Sequence, residues 1–198
     1  MSLTAAVLNP IIGDLQQRFP ELQIRVVSSF EPLELDEEPF DLGLQYGRNR
    51  VSSFDVEPIA DEQVYPVCSP ELLEHLPEHP TIEDLLGQQL LHVDYGEPAW
   101  IGWAEFLAEL GRTSTDPLAG PVFSTYVVVL DLAERGEGIA LGWGHTAKPR
   151  IEAGRLVRIP GLTIDIADAL LAYRPVGHQP WAPVDDLLEI LRRSLTRP

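Results

Sequence analysis

The sequence predicts an α/β fold, because stretches with helical periodicity alternate along it with short apolar stretches typical of strands. Apolar residues recur at helical spacing from Val7 to Phe19, where Pro20 ends the predicted helix, and residues 22–29 have the pattern of a buried strand. The alternation continues to the C-terminus with no fixed repeat and no low-complexity linker. Two lobes joined by crossover strands would explain why no linker divides the 198 residues.

Local start and stop signals predict the other elements. Ser69 before Pro70 is a helix start, and Thr81 with Asp84 has the capping-box spacing of a short helix that ends at Gly87. Further strands are predicted at residues 40–46, 56–60, 63–68, 90–93, 155–159 and 167–174, and further helices at residues 100–110, 147–153 and 184–195.

A capped helix and a glycine turn are predicted in the second half of the chain. Ser124 and Thr125 can cap a helix that runs to Arg135, and Gly136 and Gly138 then turn the chain into a strand at residues 139–143. This Gly-x-Gly follows a helix and precedes a strand, which is the reverse of the order in a dinucleotide-binding fingerprint. Nucleotide binding is therefore not predicted there.

The charge of the chain argues against direct binding to nucleic acid. The chain has 14 Lys and Arg residues and 31 Asp and Glu residues. The resulting formal net charge of -17 would repel a phosphate backbone. Hydrophobic residues make up 44%, yet no run approaches eighteen apolar residues and no secretory signal opens the sequence. We expect a cytoplasmic protein with no membrane segment.

Metal, cofactor and catalytic sites are not predicted. Cys68 has no partner for an internal disulfide or a zinc site, and Pro77 interrupts any helix that would join His75 and His79. The chain has no Gly-x-Ser-x-Gly elbow, no phosphate-binding loop and no metal-binding helix motif. We expect neither a metal nor a cofactor, and we do not expect an enzyme.

A small-molecule pocket is predicted where helices begin and strands end. Helix N-termini present unpaired N–H groups, and ligands of open α/β sheets bind at the carboxyl ends of strands. An aromatic lining with few polar groups suits a small organic ligand. The predicted ligand-binding residues are Ser2, Thr4, Ser28, Ser29, Gln45, Asp94, Tyr95, Ser124, Thr125, Tyr126 and Trp143. The serines and threonines are alternatively helix caps. Tyr46, next to Gln45, would complete the floor of the pocket or is alternatively a core residue.

Seven segments in order resemble the effector-binding domain of LysR-type transcriptional regulators. They are LTAAVLNP at residues 3–10, FP at 19–20, FDLGLQYG at 40–47, YPVCSP at 65–70, LLH at 90–92, the helix from Phe123 with GEGIALG at 136–142, and GRLV at 154–157. The resemblance spans nearly the whole chain and is nearest to the subgroup of glycine-cleavage activators and β-lactamase regulators. Gln45 stands where that family usually has arginine, and Tyr126 where relatives often have a small polar residue.

The resemblance implies a periplasmic-binding-protein-like fold of type II, with two Rossmann-like lobes and an effector in the cleft between them. Lobe I would comprise residues 1–64 and 165–198, and lobe II residues 65–164. The winged helix-turn-helix that binds DNA in this family would precede residue 1 and is absent from the 198 residues.

The resemblance also implies partners: a small-molecule effector, a second copy of the chain in an antiparallel homodimer, a tetramer at full length, and DNA only through the N-terminal domain. The dimer would use the first helix and the lobe II helix. A solute-binding protein of a transport system would share the fold and is the alternative, which an upstream signal peptide instead of a DNA-binding domain would indicate.

Overall fold

The computed structural model describes residues 7–27, 40–47, 53–94, 101–113, 116–177 and 181–195. Its elements in chain order are α1 (Asn9–Arg18), β1 (Gly43–Tyr46), β2 (Phe54–Cys68), α2 (Pro70–Leu73), α3 (Ile82–Leu86), β3 (His92–Val93), α4 (Trp103–Glu109), β4 (Val122–Phe123), α5 (Tyr126–Glu134), β5 (Ala140–Trp143), α6 (Gly144–Glu152), β6 (Val157–Arg158), β7 (Ile164–Pro175) and α7 (Ala182–Ser194).

The chain divides into two compact units. Unit 1 consists of Met1–Glu62 and Ile166–Pro198, and unit 2 of Gln63–Asp165. The boundaries fall inside β2 and β7, so each of these two long strands passes from one unit into the other. Crossing by strands explains why the sequence contains no linker.

Unit 1 packs two helices against each other beside a pair of antiparallel strands. β1 pairs with β7 from Gly43↔Tyr173 to Tyr46↔Leu170. The apolar stripe of α1 is buried, as predicted, at Val7, Ile11 and Leu15, and α1 lies against α7, whose buried face contains Val184, Leu188 and Leu191. An ion pair of 2.7 Å between Arg18 and Asp186 joins the same two helices.

Unit 2 contains an antiparallel set of strands, a separate two-stranded parallel sheet and several short helices. β2 lies between β5 and β6 and is antiparallel to both, whereas β3 is parallel to β4. An isolated parallel bridge between Leu90 and Ile139 joins the β3 segment to the β5 segment. Fully buried residues of this core are Leu85, Leu90, Phe106, Leu107, Ile139, Leu156 and Ile159.

The predicted caps of α2 and α3 are confirmed. The Ser69 hydroxyl accepts a hydrogen bond from the Leu72 N–H, and Thr81 forms a capping box with Asp84. The predicted turn into β5 is also confirmed, because Gly138 has a φ of +158° and a Cβ there would lie 2.4 Å from the Gln89 carbonyl oxygen. Only glycine fits that close approach.

Three of the sequence predictions are wrong in detail. Residues 22–27 form no strand, because an extended segment becomes a strand only by pairing and no ladder joins these residues to the described part of the chain. The predicted strands 56–60 and 63–68 are one continuous strand, β2, in which Glu62 is fully buried. The helix predicted at 147–153 begins earlier, at Gly144.

Candidate functional site

A recess of about 40 Å³ opens in unit 2 between the ends of β3 and β5 and the first turn of α5. This volume has room for about three water molecules, so the recess can hold one small group of a larger ligand. Among the residues that the structure describes, none that lines the recess carries a charge. The lining residues are Leu91, Val93, Ile101, Gly102, Trp103, Tyr126, Val129, Leu141 and Trp143.

The position of the recess follows from the sheet. Strands β3 and β5 are joined in parallel at the Leu90–Ile139 bridge, and the recess lies beyond that bridge, at their carboxyl ends. Ligands of α/β proteins bind at this edge, where the backbone groups of the last strand residues have no further ladder partner. The sheet therefore places the recess where a binding site is expected.

Tyr126 fills the β5 side of the gap between the strands. Its hydroxyl donates to the Leu141 carbonyl oxygen at 3.1 Å and accepts from the Trp143 N–H at 3.0 Å. Leu141 lies opposite Pro66, which has no N–H, so Leu141 and Trp143 direct their backbone groups away from β2 and towards α5. The tyrosine hydroxyl thus takes the place of a neighbouring strand.

Trp103 satisfies a backbone group on the β3 side. Its indole Nε1–H donates to the Leu91 carbonyl oxygen at 3.0 Å, and its ring meets Phe106 edge to face. Trp103 is also 3% exposed. Trp103 is therefore packed in the core, and the same ring lines the recess.

Ser124 and Thr125 lie directly before the first turn of α5. Thr125 is the N-cap residue, but its side chain makes no capping hydrogen bond, which corrects the prediction that Ser124 and Thr125 cap this helix. Asp94 lies at the same sheet edge, because its N–H donates to the Phe123 carbonyl oxygen at 2.9 Å. Asp94 and Ser124 are both exposed. The hydroxyls are accordingly available to a ligand.

The predicted site residues of unit 1 have a different environment. Gln45 is half-buried in β1, opposite Leu171 of β7. Tyr46 is 3% exposed and donates its hydroxyl to Glu62 Oε2 at 2.7 Å, so the core alternative describes it. Ser2, Thr4, Ser28, Ser29 and Tyr95 lie outside the described residues.

Of the predicted residues, the structure brings Tyr126 and Trp143 together in the recess, with Asp94, Ser124 and Thr125 at the adjoining edge. Sequence reasoning missed the apolar lining residues Leu91, Val93, Ile101, Gly102, Val129 and Leu141. An apolar residue at a strand end has the same pattern whether it faces the core or a ligand, so only the register of β3 and β5 could have revealed them.

No group of three or more His, Cys, Asp or Glu side chains in the described ranges is placed to hold a metal ion. Likewise, no helix in those ranges has the length and hydropathy needed to cross a membrane. Burial raises the pKa of the Cys68 thiol, in β2, to about 12. Such a thiol stays protonated at neutral pH and is a poor nucleophile.

Curated relatives are transcriptional regulators. The chain is 29% identical over 166 residues to the HTH-type transcriptional activator AmpR of Rhodobacter capsulatus, covering 84% of this chain and 55% of that protein. It is 31% identical over 150 residues to the glycine cleavage system transcriptional activator of Escherichia coli K12, covering 76% of this chain and 48% of that protein. The chain thus spans about half the length of these relatives.

Solved structures agree on the fold. The effector domain of AmpR from Pseudomonas aeruginosa superposes with a TM-score of 0.79 at 20% identity, over 98% of this chain and 93% of that one. The regulatory domain of CrgA from Neisseria meningitidis gives a TM-score of 0.76 at 20% identity, over 98% and 95%. The predicted fold, periplasmic-binding-protein-like of type II, is confirmed.

The family follows from the extent of the match. The model of the LysR substrate binding domain matches residues 1–196, nearly the whole chain. The named relatives favour a regulator over a transport protein that binds solutes. This chain belongs to the LysR substrate binding domain family.

Proposed function

We propose that this chain senses a small uncharged organic effector and passes the signal to a DNA-binding domain elsewhere in the same regulator. The recess of unit 2 carries this proposal, since it combines an apolar lining with polar side chains at the carboxyl ends of parallel strands. Such a combination is typical of a ligand site in α/β proteins. Membership of the LysR substrate binding domain family supports a role of this site in regulation.

The proposed contacts in unit 2 are of two kinds. Tyr126 and Trp143 pack against an apolar part of the effector, and Ser124 and Thr125 donate or accept hydrogen bonds at the first turn of α5. Gln45 is the proposed contact in unit 1, on a strand where the family usually has arginine. A glutamine binds amides and hydroxyls as readily as carboxylates, which favours an uncharged effector.

Units 1 and 2 are the proposed lobes I and II, with the boundaries predicted at residues 64/65 and 164/165. No catalytic step belongs to this function, because the effector acts through its different affinities for two states of the protein. A cytoplasmic location goes with the role, since the regulator must reach DNA. The net charge of -17 assigns DNA contact to another domain.

A homodimer is the proposed assembly, with a tetramer at full length. On the unit 2 side, Val122 of β4 is 62% exposed and Val128 of α5 is 40% exposed, and both side chains would gain from burial. On α1, Ile12 is apolar and half-buried and could contribute to the contact. The unit 2 helix is therefore the better supported half of the proposed interface.

A substitution at Val128 tests the assembly. In the proposed dimer Val128→Glu buries a charge without a partner, so light scattering coupled to size exclusion should show the monomer mass. Val176→Glu is the matched control, because Val176 is an exposed valine of unit 1 outside the proposed interface. A wild-type monomer at micromolar concentration, or equal behaviour of the two variants, would count against the dimer.

A thermal-shift screen tests the sensing function. The panel contains amino acids, short peptides, cell-wall fragments and aromatic and aliphatic acids, with their amides. A compound at about a hundred times its Kd stabilises the domain by about 2.7 kcal/mol, which raises the Tm by several degrees. We expect a saturable shift from an uncharged compound of the panel, such as one of the amides, and not from the acid alone. A chain whose Tm no compound of the panel changes would contradict the proposal.

A further inference from the structure

The hydrogen-bond ladder between the β3 and β5 segments ends before the recess. The Ile139 N–H donates to the Gln89 carbonyl oxygen at 2.8 Å, and the Leu91 N–H donates to the Ile139 carbonyl oxygen at 2.9 Å. The next backbone groups of β5 turn to the Tyr126 hydroxyl instead of to β3. The corresponding side of β3 is therefore left open.

Val93 is the residue on the open side. The N–H groups of its neighbours His92 and Asp94 donate to β4, at Pro121 and Phe123. Alternate residues of a strand direct their backbone groups to opposite neighbours, so the N–H and the carbonyl of Val93 point towards β5 and the recess. Within the described part of the chain, neither group has a hydrogen-bond partner.

An open donor and acceptor at this place are unusual. Val93 is half-buried and lines the recess, so without a ligand only water can satisfy the two backbone groups. A ligand that makes both hydrogen bonds replaces this water on binding. Addition of a backbone-like group to an open strand edge is a common mode of recognition.

We infer that the effector presents a neutral amide to Val93, with its N–H directed to the Val93 carbonyl and its C=O to the Val93 N–H. This inference rests on the proposed function and names the chemical class of the group bound there. A carboxylate has no donor for the carbonyl, and an ammonium has no acceptor for the N–H. Neither ion finds a counter-charge among the described lining residues, and an unpaired charge is costly to bury.

The volume limits the group. About 40 Å³ accommodates the amide with a methyl or a similarly small substituent, and larger parts of the effector must lie outside the recess. Tyr126 and Trp103 set this limit, because their polar atoms are fixed to the strand ends by hydrogen bonds.

Acetamide tests the inference directly in a titration of the ¹⁵N-labelled domain followed by heteronuclear NMR. The Val93 amide signal is expected to shift saturably with acetamide, and to remain in place with acetate and methylammonium at equal concentrations. A Val93 signal that acetamide leaves in place, or that the two ions move equally, would overturn the inference.

Two variants separate the backbone from the side chain. Val93→Pro removes the N–H that no ladder bond uses, whereas Val93→Ala keeps it and shortens the side chain. We expect acetamide affinity to fall about tenfold in Val93→Pro, the equivalent of one hydrogen bond, and to change little in Val93→Ala. Equal losses in both variants would show a contact with the side chain only.

A ligand series covers the case in which Val93→Pro does not fold. N-methylacetamide retains an N–H donor and N,N-dimethylacetamide does not, so only the first should shift the Val93 signal of the wild-type domain.

The outcomes of the thermal-shift screen and of the NMR titration also separate the sensing function from the amide site. Acetamide binding with no effector in the thermal-shift panel would contradict the sensing function alone. An effector that binds without moving the Val93 signal would contradict the amide site alone.

Discussion

Two buried tyrosines, Tyr46 in unit 1 and Tyr126 in unit 2, differ in what their hydroxyls bind. Tyr46 donates to the Glu62 carboxylate at 2.7 Å, within a fully buried pair of side chains. Tyr126 bridges two backbone groups of β5, at 3.1 and 3.0 Å, and its ring lines an open recess. The Tyr46 hydroxyl thus binds another side chain within the core, and the Tyr126 hydroxyl binds backbone groups at the edge of a sheet.

This difference shows how one residue type stabilises one unit and shapes a site in the other. A buried hydroxyl needs a partner in either place, so burial alone does not separate the two roles. The hydrogen-bond partner separates the two roles. A side-chain partner, as for Tyr46, belongs to the interior, whereas backbone partners at a strand end, as for Tyr126, mark the edge of a sheet that a ligand can extend. The predictions below test the two roles separately.

The largest effect is expected for Glu62→Leu, which leaves the buried Tyr46 hydroxyl without its acceptor. We expect the free energy of unfolding in urea to fall by about 2–3 kcal/mol. The double variant Tyr46→Phe/Glu62→Leu should lose less free energy of unfolding than the two single variants lose in sum. The difference should be about 1 kcal/mol or more, because contacting partners are coupled. Strict additivity would show that the two side chains act independently.

Tyr126→Phe should cost about 2 kcal/mol, since the Leu141 carbonyl and the Trp143 N–H lose their partner together. Tyr46→Phe is the matched control in the other unit. In heteronuclear NMR the Tyr126 variant should move the amide signals of Trp143 and Val93, and the Tyr46 variant should leave them in place. Equal changes in both variants would remove the distinction between the two tyrosines.

Cys68 gives an effect that depends on pH. Its folded pKa of about 12 exceeds that of the unfolded chain, so the stabilisation is complete below about pH 8.5 and is lost as the pH rises towards 12. Between pH 8 and pH 10 the free energy of unfolding should fall by about 1.5 kcal/mol more in the wild type than in Cys68→Ala. Equal pH dependence of the two proteins would contradict the raised pKa.

The smallest change in stability is expected for the hydroxyls at α5. Thr125→Ala removes no capping hydrogen bond and should change the free energy of unfolding by less than about 0.5 kcal/mol. Thr81→Ala is the control, because the Thr81 hydroxyl caps α3 and its loss should cost about 1 kcal/mol. A comparable loss in Thr125→Ala would identify Thr125 as a structural cap and not a ligand contact.

The sequence was sufficient where short-range rules decide the outcome. The caps at Ser69 and Thr81, the buried stripe of α1 and the glycine turn before β5 all depend on residues a few positions apart. Tyr126 and Trp143 were also predicted as neighbours of a pocket, because each stands next to the end of a predicted element.

The rest depends on contacts between distant residues. The burial of Glu62 requires Tyr46, sixteen positions away, and the open ladder at Val93 requires the register of three strands at once. Neither is encoded in a local pattern, since a valine in a short apolar strand has the same sequence signature whether or not its backbone is paired.

Calorimetric titration of the effector found in the thermal-shift screen tests the central claim most directly, namely that the effector binds at the first turn of α5. The wild type is compared with Ser124→Ala/Thr125→Ala, and Ser194→Ala in α7 serves as the control. We predict that the double variant binds about tenfold more weakly or worse, as expected for one or two lost hydrogen bonds, with stability preserved and the control unchanged. An affinity that stays the same in the double variant would contradict the claim and place the effector elsewhere.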